Sequence, residues 1–250
     1  MLAGSRSAAA TAHSGRDNAS RRPHDRDEIG EPHRVHRSGR WTSGGAHPGV
    51  PGKGGGVPVV EAVEEAVGWF ETYLCRPHEG VGRPGAVCPF MVPALRADGV
   101  RVHVFPGSGD LEGLLSAVDA MVEVLRSDGW PTSNRALHAV VAVLPDLPQA
   151  DEELLDHVQE KVRKPLAREG MMLGQFHSLC DQGAARNPGF PVSRSPIPML
   201  ALRWMALHDV LFVHDDPDRF AAYEERFGTV YRSGRIVDPL FARLYQQAHR

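Results

Sequence analysis

Few cysteines and no long apolar run are the first features of this sequence. Its three cysteines, Cys75, Cys88 and Cys180, form neither a C-x-x-C pair nor an even-numbered disulfide framework, so we expect reduced thiols. No apolar run reaches the roughly 18 residues of a membrane span. No apolar segment of roughly 7 to 15 residues follows the basic start, as a secretory signal requires. These absences predict a cytoplasmic protein without a membrane partner.

The phosphate-binding loop of P-loop nucleotide enzymes and the nucleophile elbow of serine hydrolases are also missing. The sequence has no G-x-x-x-x-G-K-[ST] loop, whose backbone amides would hold phosphates, and no G-x-S-x-G nucleophile elbow. Nucleotide-dependent chemistry is therefore disfavoured. Nucleophilic catalysis by Cys180 or Ser195 with a histidine base stays open, although no local motif supports it.

Charge and apolar residues are distributed unevenly along the chain. Residues 1–58 contain almost no Leu, Ile, Phe or Met and carry eight Arg and one Lys against five Asp or Glu. The tail thus has a charge of about +4, which leaves about −7 on residues 59–250 of a chain with net charge −3. Such a Gly/Ser/Arg/His-rich segment cannot offset its chain entropy by burial. We predict a disordered basic tail over 1–58 and an acidic folded body, which argues against nucleic acid as the partner.

Apolar periodicity predicts a single α+β domain over residues 59–250. Because the last three predicted strands lie too close together for helical crossovers, we expect a mixed or antiparallel sheet of about five strands with helices packed on it. Pro165 is predicted to kink or break the third helix. The predicted helices cover 59–74, 111–125 and 151–169 and then begin at Asp216 and Asp238, and the predicted strands cover 100–105, 136–144, 171–176, 199–205 and 210–213.

Reactive side chains are concentrated between residues 171 and 214, where a long loop over 178–198 joins predicted core strands. Long loops inside compact domains are commonly functional. Strand alternation places Gln175 and His177 on one face, and we expect His177, Arg203 and His208 to converge on one cavity beneath the loop. The candidate residues are Gln175, His177, Cys180, Asn187, Arg194, Ser195, Arg203, His208 and Asp209.

Several chemical roles suit these residues. Gln175, His177, His208 and Asp209 are candidate catalytic groups. His177 and Cys180, with Cys88 or His208 as a third ligand, are candidate ligands of haem or a transition metal. Planar guanidinium groups favour carboxylates and phosphates, so the candidate contacts for an anionic small molecule are Arg194, Arg203, Ser195 and Asn187.

The structural alternative gives the same residues no ligand. In it, His208-Asp209 forms a turn between antiparallel strands, Asp209 fixes His208, and the arginines form ion pairs. Cys88 is then a small buried hydrophobic residue, and His138 is a hydrogen-bonded core residue.

The motifs together resemble a bacterial domain-of-unknown-function family numbered 6875, over about residues 80–248. In this sequence Ser178 follows the histidine of Gly174-Gln175-Phe176-His177, where the family pattern has proline. The remaining motifs are Cys88-Pro89-Phe90, Asn187-Pro188-Gly189-Phe190, Arg194-Ser195-Pro196-Ile197-Pro198, Ala201-Leu202-Arg203-Trp204-Met205, His208-Asp209, Phe227-Gly228 and Tyr231.

That resemblance implies a small cytoplasmic protein associated with specialised metabolism. The Cys-Pro-Phe segment and the order of elements are also similar to the YqcI/YcgG family, some members of which are haem-dependent oxygenases, and this similarity implies haem. The sequence thus favours a small-molecule enzyme with a haem- or metal-dependent oxidative site. The alternative is a non-catalytic protein that binds an anionic ligand or acts as an accessory.

Overall fold

The structure, a computed structural model, describes residues 59–105, 109–127 and 129–249. The disordered tail predicted for residues 1–58 lies outside these ranges. In the described part of the chain, no helix has the length and apolar character needed to cross a membrane.

Four strands form one mixed sheet. They are β1 (Val100–Val104), β2 (Ala139–Val143), β3 (Met171–Phe176) and β6 (Met199–Trp204). Between β3 and β6 the chain forms a separate hairpin of β4 (Gly183–Ala184) and β5 (Asn187–Pro191).

The order of strands in the sheet is β1-β2-β6-β3. The first two strands are parallel, and β6 pairs antiparallel with β2 on one side and with β3 on the other. The predicted α+β class with a mixed sheet is confirmed.

Helices cover both faces of the sheet. They are α1 (Val59–Trp69), α2 (Met91–Arg96), α3 (Leu111–Arg126), α4 (Leu154–Arg168), α5 (Val210–Val213), α6 (Pro217–Arg232) and α7 (Pro239–Ala248). On one face, α3 and α4 bury Leu114, Met121 and Leu155 against the strands, while on the other face α1 buries Val63 against β1 and β2. A third apolar cluster joins α5, α6 and α7 around Tyr223.

The helix boundaries follow the local signals in the sequence. Asp110, Asp216 and Asp238 each accept a hydrogen bond from a backbone N–H of the helix that follows them. Such bonds satisfy donors that the first helical turn leaves unpaired. The helix is not broken at Pro165, since α4 continues through that residue to Arg168.

The strand predicted at residues 210–213 is wrong. Leu207–Asp209 forms a 3-10 turn, and Val210–Val213 continues it as the short helix α5. A four-residue apolar run has no periodicity that separates helix from strand. Both edges of β6 are already paired, so the chain leaves the sheet after Trp204.

Candidate functional site

The predicted site residues divide into two groups on opposite faces of the sheet. His177 follows β3 on the face that carries Leu173, which packs with α3 and α4. Arg203 pairs with Met172 and lies on the other face, with Ala201 and α1. Because alternate residues of a strand point to opposite faces, the expected convergence of His177, Arg203 and His208 on one cavity is wrong. The shared face of Gln175 and His177 is confirmed, since both are buried at alternate positions.

The larger candidate site is a cavity of about 730 Å³. Arg203, His208, Cys88 and Phe90 contribute to its wall, together with residues 182–186 of the predicted covering loop. β3 is an edge strand, and the cavity reaches round it to Gln175 and to α4. Apolar walls with a few polar groups are typical of small-molecule sites.

A buried ion pair lies at one wall of this cavity. The two terminal nitrogens of Arg203 donate to the two carboxylate oxygens of Asp209 at 2.8 and 2.6 Å. The Asp209 side chain is 0% exposed and also accepts from the backbone N–H of Ala206 at 2.7 Å. Burial alone would raise the pKa of Asp209, but the charge and hydrogen bonds of Arg203 outweigh it and lower that pKa. Asp209 is therefore a structural anion that holds Arg203 in place.

His208 is the neutral polar group beside this ion pair. Its ring stacks on Phe90 with centroids 4.4 Å apart, and its Nε2 lies 3.4 Å from a terminal nitrogen of Arg203. Burial lowers the pKa of His208 to about 4, and the positive charges of Arg203 and Arg83 act in the same direction. At neutral pH the ring is uncharged. Its Nε2 also lies 3.4 Å from Oδ1 of Asp209, so this nitrogen faces both a donor and an acceptor. Nδ1 of His208 is buried and has no hydrogen-bond partner among the described residues.

Charges around the cavity leave a positive excess. Asp215 and Asp238, which line it, pair with Arg219 and Arg186. Arg83 also lines the cavity but donates only to the backbone carbonyls of Pro84 and Val87, at 3.1 and 2.8 Å. Among the described residues no carboxylate pairs with Arg83. One guanidinium charge is therefore left uncompensated beside His208.

A second group of side chains, the His177 cluster, consists of Glu152, Asp156, Gln175, His177 and Cys180. His177 is 1% exposed; its Nε2 lies 3.1 Å from Oδ2 of Asp156, and its Nδ1 lies 3.8 Å from Oε2 of Glu152. Gln175 donates to the other Asp156 oxygen at 3.0 Å. One donor atom each from Asp156, His177 and Cys180 lies within 4.8 Å of the others. Burial raises the pKa of the Cys180 thiol, so without a bound cation this thiol is protonated at neutral pH.

Three predicted ligand contacts instead hold the loop. Arg194 donates to the Cys180 carbonyl at 3.3 Å and pairs with Asp181 at 2.9 Å. Ser195 donates through its hydroxyl to the Ile197 carbonyl at 2.7 Å. Asn187 donates to the Gly80 carbonyl at 2.8 Å, which ties β5 to the segment after α1. These side chains shape the covering loop. The ion pair of Arg194 is the one that the structural alternative expects, whereas ligand contacts by these three residues stay predictions.

His138 also follows the structural alternative. Its Nε2 lies 2.7 Å from the Thr132 carbonyl, and its ring stacks on Trp130 with centroids 4.4 Å apart. It is a hydrogen-bonded residue of the wall at the start of β2.

Sequence reasoning missed Glu152, Asp156 and Arg83. A usable signal was present, because residues 152, 156, 159 and 163 form a polar stripe at helical spacing beside the apolar face of α4. Gln159 and Arg163 of this stripe line the cavity. Arg83 lies in a Gly/Pro-rich connection that carries no periodicity, so no pattern could place it.

Comparison with known proteins gives one family. The family model described as "Domain of unknown function (DUF6875)" matches residues 63–236, well over half of the 250-residue chain. This match confirms the resemblance drawn from the motifs, whereas the similarity to a haem-dependent family stays a prediction. No curated protein and no solved structure matches the chain.

Proposed function

We propose that this chain, which belongs to the domain-of-unknown-function family DUF6875, binds a small organic anion in the cavity beside Arg203 and His208. The observation that carries the proposal is Arg83, a cavity-lining guanidinium that no carboxylate of the described residues neutralises. A carboxylate or phosphate group is the natural partner of such a fork of N–H donors.

His208 supplies a second, uncharged contact. Leaving a buried polar atom without a partner costs about 1–3 kcal/mol, and the Nδ1 of His208 is such an atom. A ligand that hydrogen-bonds to this nitrogen and places its anionic group against Arg83 would satisfy both side chains. Phe90, Phe176 and Phe212 line the same cavity and provide apolar surface for the rest of the molecule.

Arg203 contributes position more than free charge. Its terminal nitrogens are already bonded to Asp209, to the Trp204 carbonyl and to His208. It therefore fixes the orientation of the His208 ring, and Arg83 supplies the net positive charge.

The second candidate function is a small-molecule enzyme of specialised metabolism that oxidises its substrate with haem or a transition metal. The grouping of Asp156, His177 and Cys180 within 4.8 Å favours a metal ion. If the cavity held haem, His208, which lines it, would be the histidine placed to hold the group, because the lining does not include His177. Expression with iron and a haem precursor, followed by a visible spectrum and metal analysis, tests this candidate. A colourless, metal-free protein would remove it.

Ligand binding is tested by thermal shift and calorimetry with a panel of small aromatic and aliphatic carboxylates and phosphates. A ligand that binds only the folded state raises the melting temperature, and the rise grows with the logarithm of its concentration above Kd. We expect Arg83→Gln to weaken binding of the stabilising anions about tenfold or more, because one charge-assisted hydrogen bond is lost. Arg96→Gln, an exposed arginine at the end of α2, is the matched control.

Two outcomes would contradict this proposal. One is a panel in which no anion stabilises the folded wild-type protein. The other is an anion that binds Arg83→Gln and Arg96→Gln with the same affinity, since its site would then lie elsewhere.

A further inference from the structure

The His177 cluster has the opposite charge balance to the cavity. Glu152 and Asp156 both face His177, and among the described residues neither carboxylate has an ion pair with a lysine or arginine. Glu152 is 5% exposed, so its charge is largely withdrawn from solvent. Buried carboxylates are normally paired with a cation or coordinate a metal. No lysine or arginine of the described residues therefore offsets these two carboxylates, and His177 is the basic group that lies between them.

We propose that Asp156, His177 and Cys180 bind one divalent transition-metal ion. A carboxylate, an imidazole and a thiolate together suit zinc, iron or cobalt better than calcium or magnesium, which prefer oxygen ligands alone. The site stands on the geometry of this cluster and does not depend on anion binding in the cavity.

The distances are close to those of a metal site. Tetrahedral bonds of roughly 2.0–2.3 Å place ligand atoms about 3.4–3.6 Å apart. Here the Nε2 of His177 and the Oδ2 of Asp156 are 3.1 Å apart, and all three donors lie within 4.8 Å of one another. A side-chain adjustment of about 1 Å closes the difference. Cys180 lies in the loop directly after β3 and is not constrained by strand pairing.

Two further side chains orient the ligands. Glu152 accepts from the backbone N–H and the hydroxyl of Ser178 at 2.9 and 2.6 Å, which holds its carboxylate 3.8 Å from Nδ1 of His177. At 3.8 Å these two atoms are not hydrogen-bonded, and Nδ1 has no other partner among the described residues. A shift of about 1 Å would let Nδ1 donate to Glu152, which is the usual way to fix the tautomer and ring plane of a metal-bound histidine. Gln175 donates to the Asp156 oxygen that does not face His177. Glu152 and Gln175 are therefore positioning residues.

The proposed site has an open side. The Asp156 side chain is 44% exposed, and Gln175, which contacts Asp156, also lines the cavity. Three protein ligands with access for a fourth are typical of a catalytic metal ion, whereas structural zinc sites are closed by four protein ligands. In such sites a water molecule or the substrate occupies the fourth position. Because Gln175 contacts Asp156 and also lines the cavity, the proposed ion would lie one side chain away from a molecule bound there.

Titration of the full-length protein with Co²⁺ tests the site without any assumption about activity. We expect one equivalent to bind with a near-ultraviolet thiolate-to-cobalt charge-transfer band, which Zn²⁺ removes by displacement. Residues 1–58 contain five histidines and no cysteine, so the thiolate band separates this site from metal bound to the tail. Cys180→Ser should lose the band, and Cys75→Ser, the matched control, should keep it.

Asp156→Asn provides a second test at a half-exposed position, where loss of folding is not expected. It should keep the thiolate band and bind Co²⁺ at least about tenfold more weakly, because a charged ligand is replaced by a neutral amide. Arg83→Gln should bind Co²⁺ like the wild type, so failure of the cavity proposal and failure of the metal proposal are distinguishable.

The metal proposal is overturned if folded wild-type protein, verified by circular dichroism, gives no thiolate band with Co²⁺. It is also overturned if the band survives Cys180→Ser, or if Asp156→Asn binds Co²⁺ with unchanged affinity.

Discussion

The cavity and the His177 cluster each place a histidine against an aspartate, yet their surroundings give the two pairs opposite characters. Asp209 is fully buried and shares both carboxylate oxygens with Arg203. Asp156 is half exposed, has no arginine partner within residues 59–105, 109–127 and 129–249, and faces His177 together with a second carboxylate, Glu152. The difference follows from one guanidinium group, because Arg203 neutralises Asp209, whereas no described arginine pairs with Asp156.

The consequence is a division of ligand preference across the edge of one sheet. Around His208, burial together with the charges of Arg203 and Arg83 outweighs the charge of Asp209, lowers the pKa of the ring and keeps it neutral, which suits an organic anion. Around His177 the carboxylates outnumber the cations, which suits a metal ion. Residue type alone does not separate these environments, since both contain His and Asp, and each has a cysteine nearby.

The largest expected effect is the loss of the Asp209 charge, measured against the same change at Asp156. Asp209→Asn should lower the free energy of unfolding by about 3–5 kcal/mol, because it leaves Arg203 buried without a counter-charge. Asp156→Asn should cost about 1 kcal/mol, since its side chain is partly hydrated and loses only modest hydrogen bonds. Urea unfolding followed by circular dichroism measures both. If the two variants lost the same free energy of unfolding, the two aspartates would not differ in their surroundings as described.

The next effect is a pH dependence specific to His208. Its pKa is about 4 in the folded protein against an ordinary value of 6.5, so between these values the unfolded chain binds a proton that the folded chain does not. Stability therefore falls as pH drops from 6.5 towards 4, by about 3 kcal/mol in total. His208→Phe retains a ring against Phe90 but cannot titrate.

Urea unfolding of wild type and His208→Phe over this pH range measures the contribution of His208 as the difference between two profiles. Other titrating groups cancel in that difference. Profiles that run parallel from pH 6.5 to 4 would show that the ring is not buried as a neutral group.

The smallest effect is expected for Arg194, which was a candidate ligand contact in the sequence. Its partner Asp181 is 89% exposed and its own side chain 53% exposed, so Arg194→Gln should cost less than about 1 kcal/mol, and less still at high salt. Anion binding in the cavity should be unchanged. A large loss of anion affinity in this variant would show that Arg194 contacts the bound anion and does not act only within the covering loop.

Local signals in the sequence identified most of the elements. The alternation of Val100, Val102 and Val104 marks β1, and the caps at Asp216 and Asp238 mark the starts of α6 and α7. Each depends on neighbours in the chain, so periodicity and capping chemistry suffice. The prediction of a strand at residues 210–213 was wrong because both a helix and a strand accommodate a short apolar run. Since β6 already pairs with β2 and β3, residues 210–213 could not form a hairpin with it.

The candidate site was only partly accessible to the same reasoning. Gln175 and His177 share a face because they are two residues apart on β3, which alternation fixes without any tertiary information. The face on which Arg203 lies relative to His177 depends on the antiparallel register of β6 with β3, which pairs Arg203 with Met172. No pattern within either strand contains that register.

The sequence by itself determined the α+β class, the ends of the longer helices and the concentration of polar groups around residues 171–214. These follow from short-range periodicity and capping. Only the tertiary structure decided that those groups form two sites, because that outcome depends on residues distant in the chain. Asp156 of α4 reaches His177 across 21 positions, and Phe90, which follows Cys88, stacks on His208. The packing of α4 and of the Cys-Pro-Phe segment against the sheet sets which charge each histidine meets.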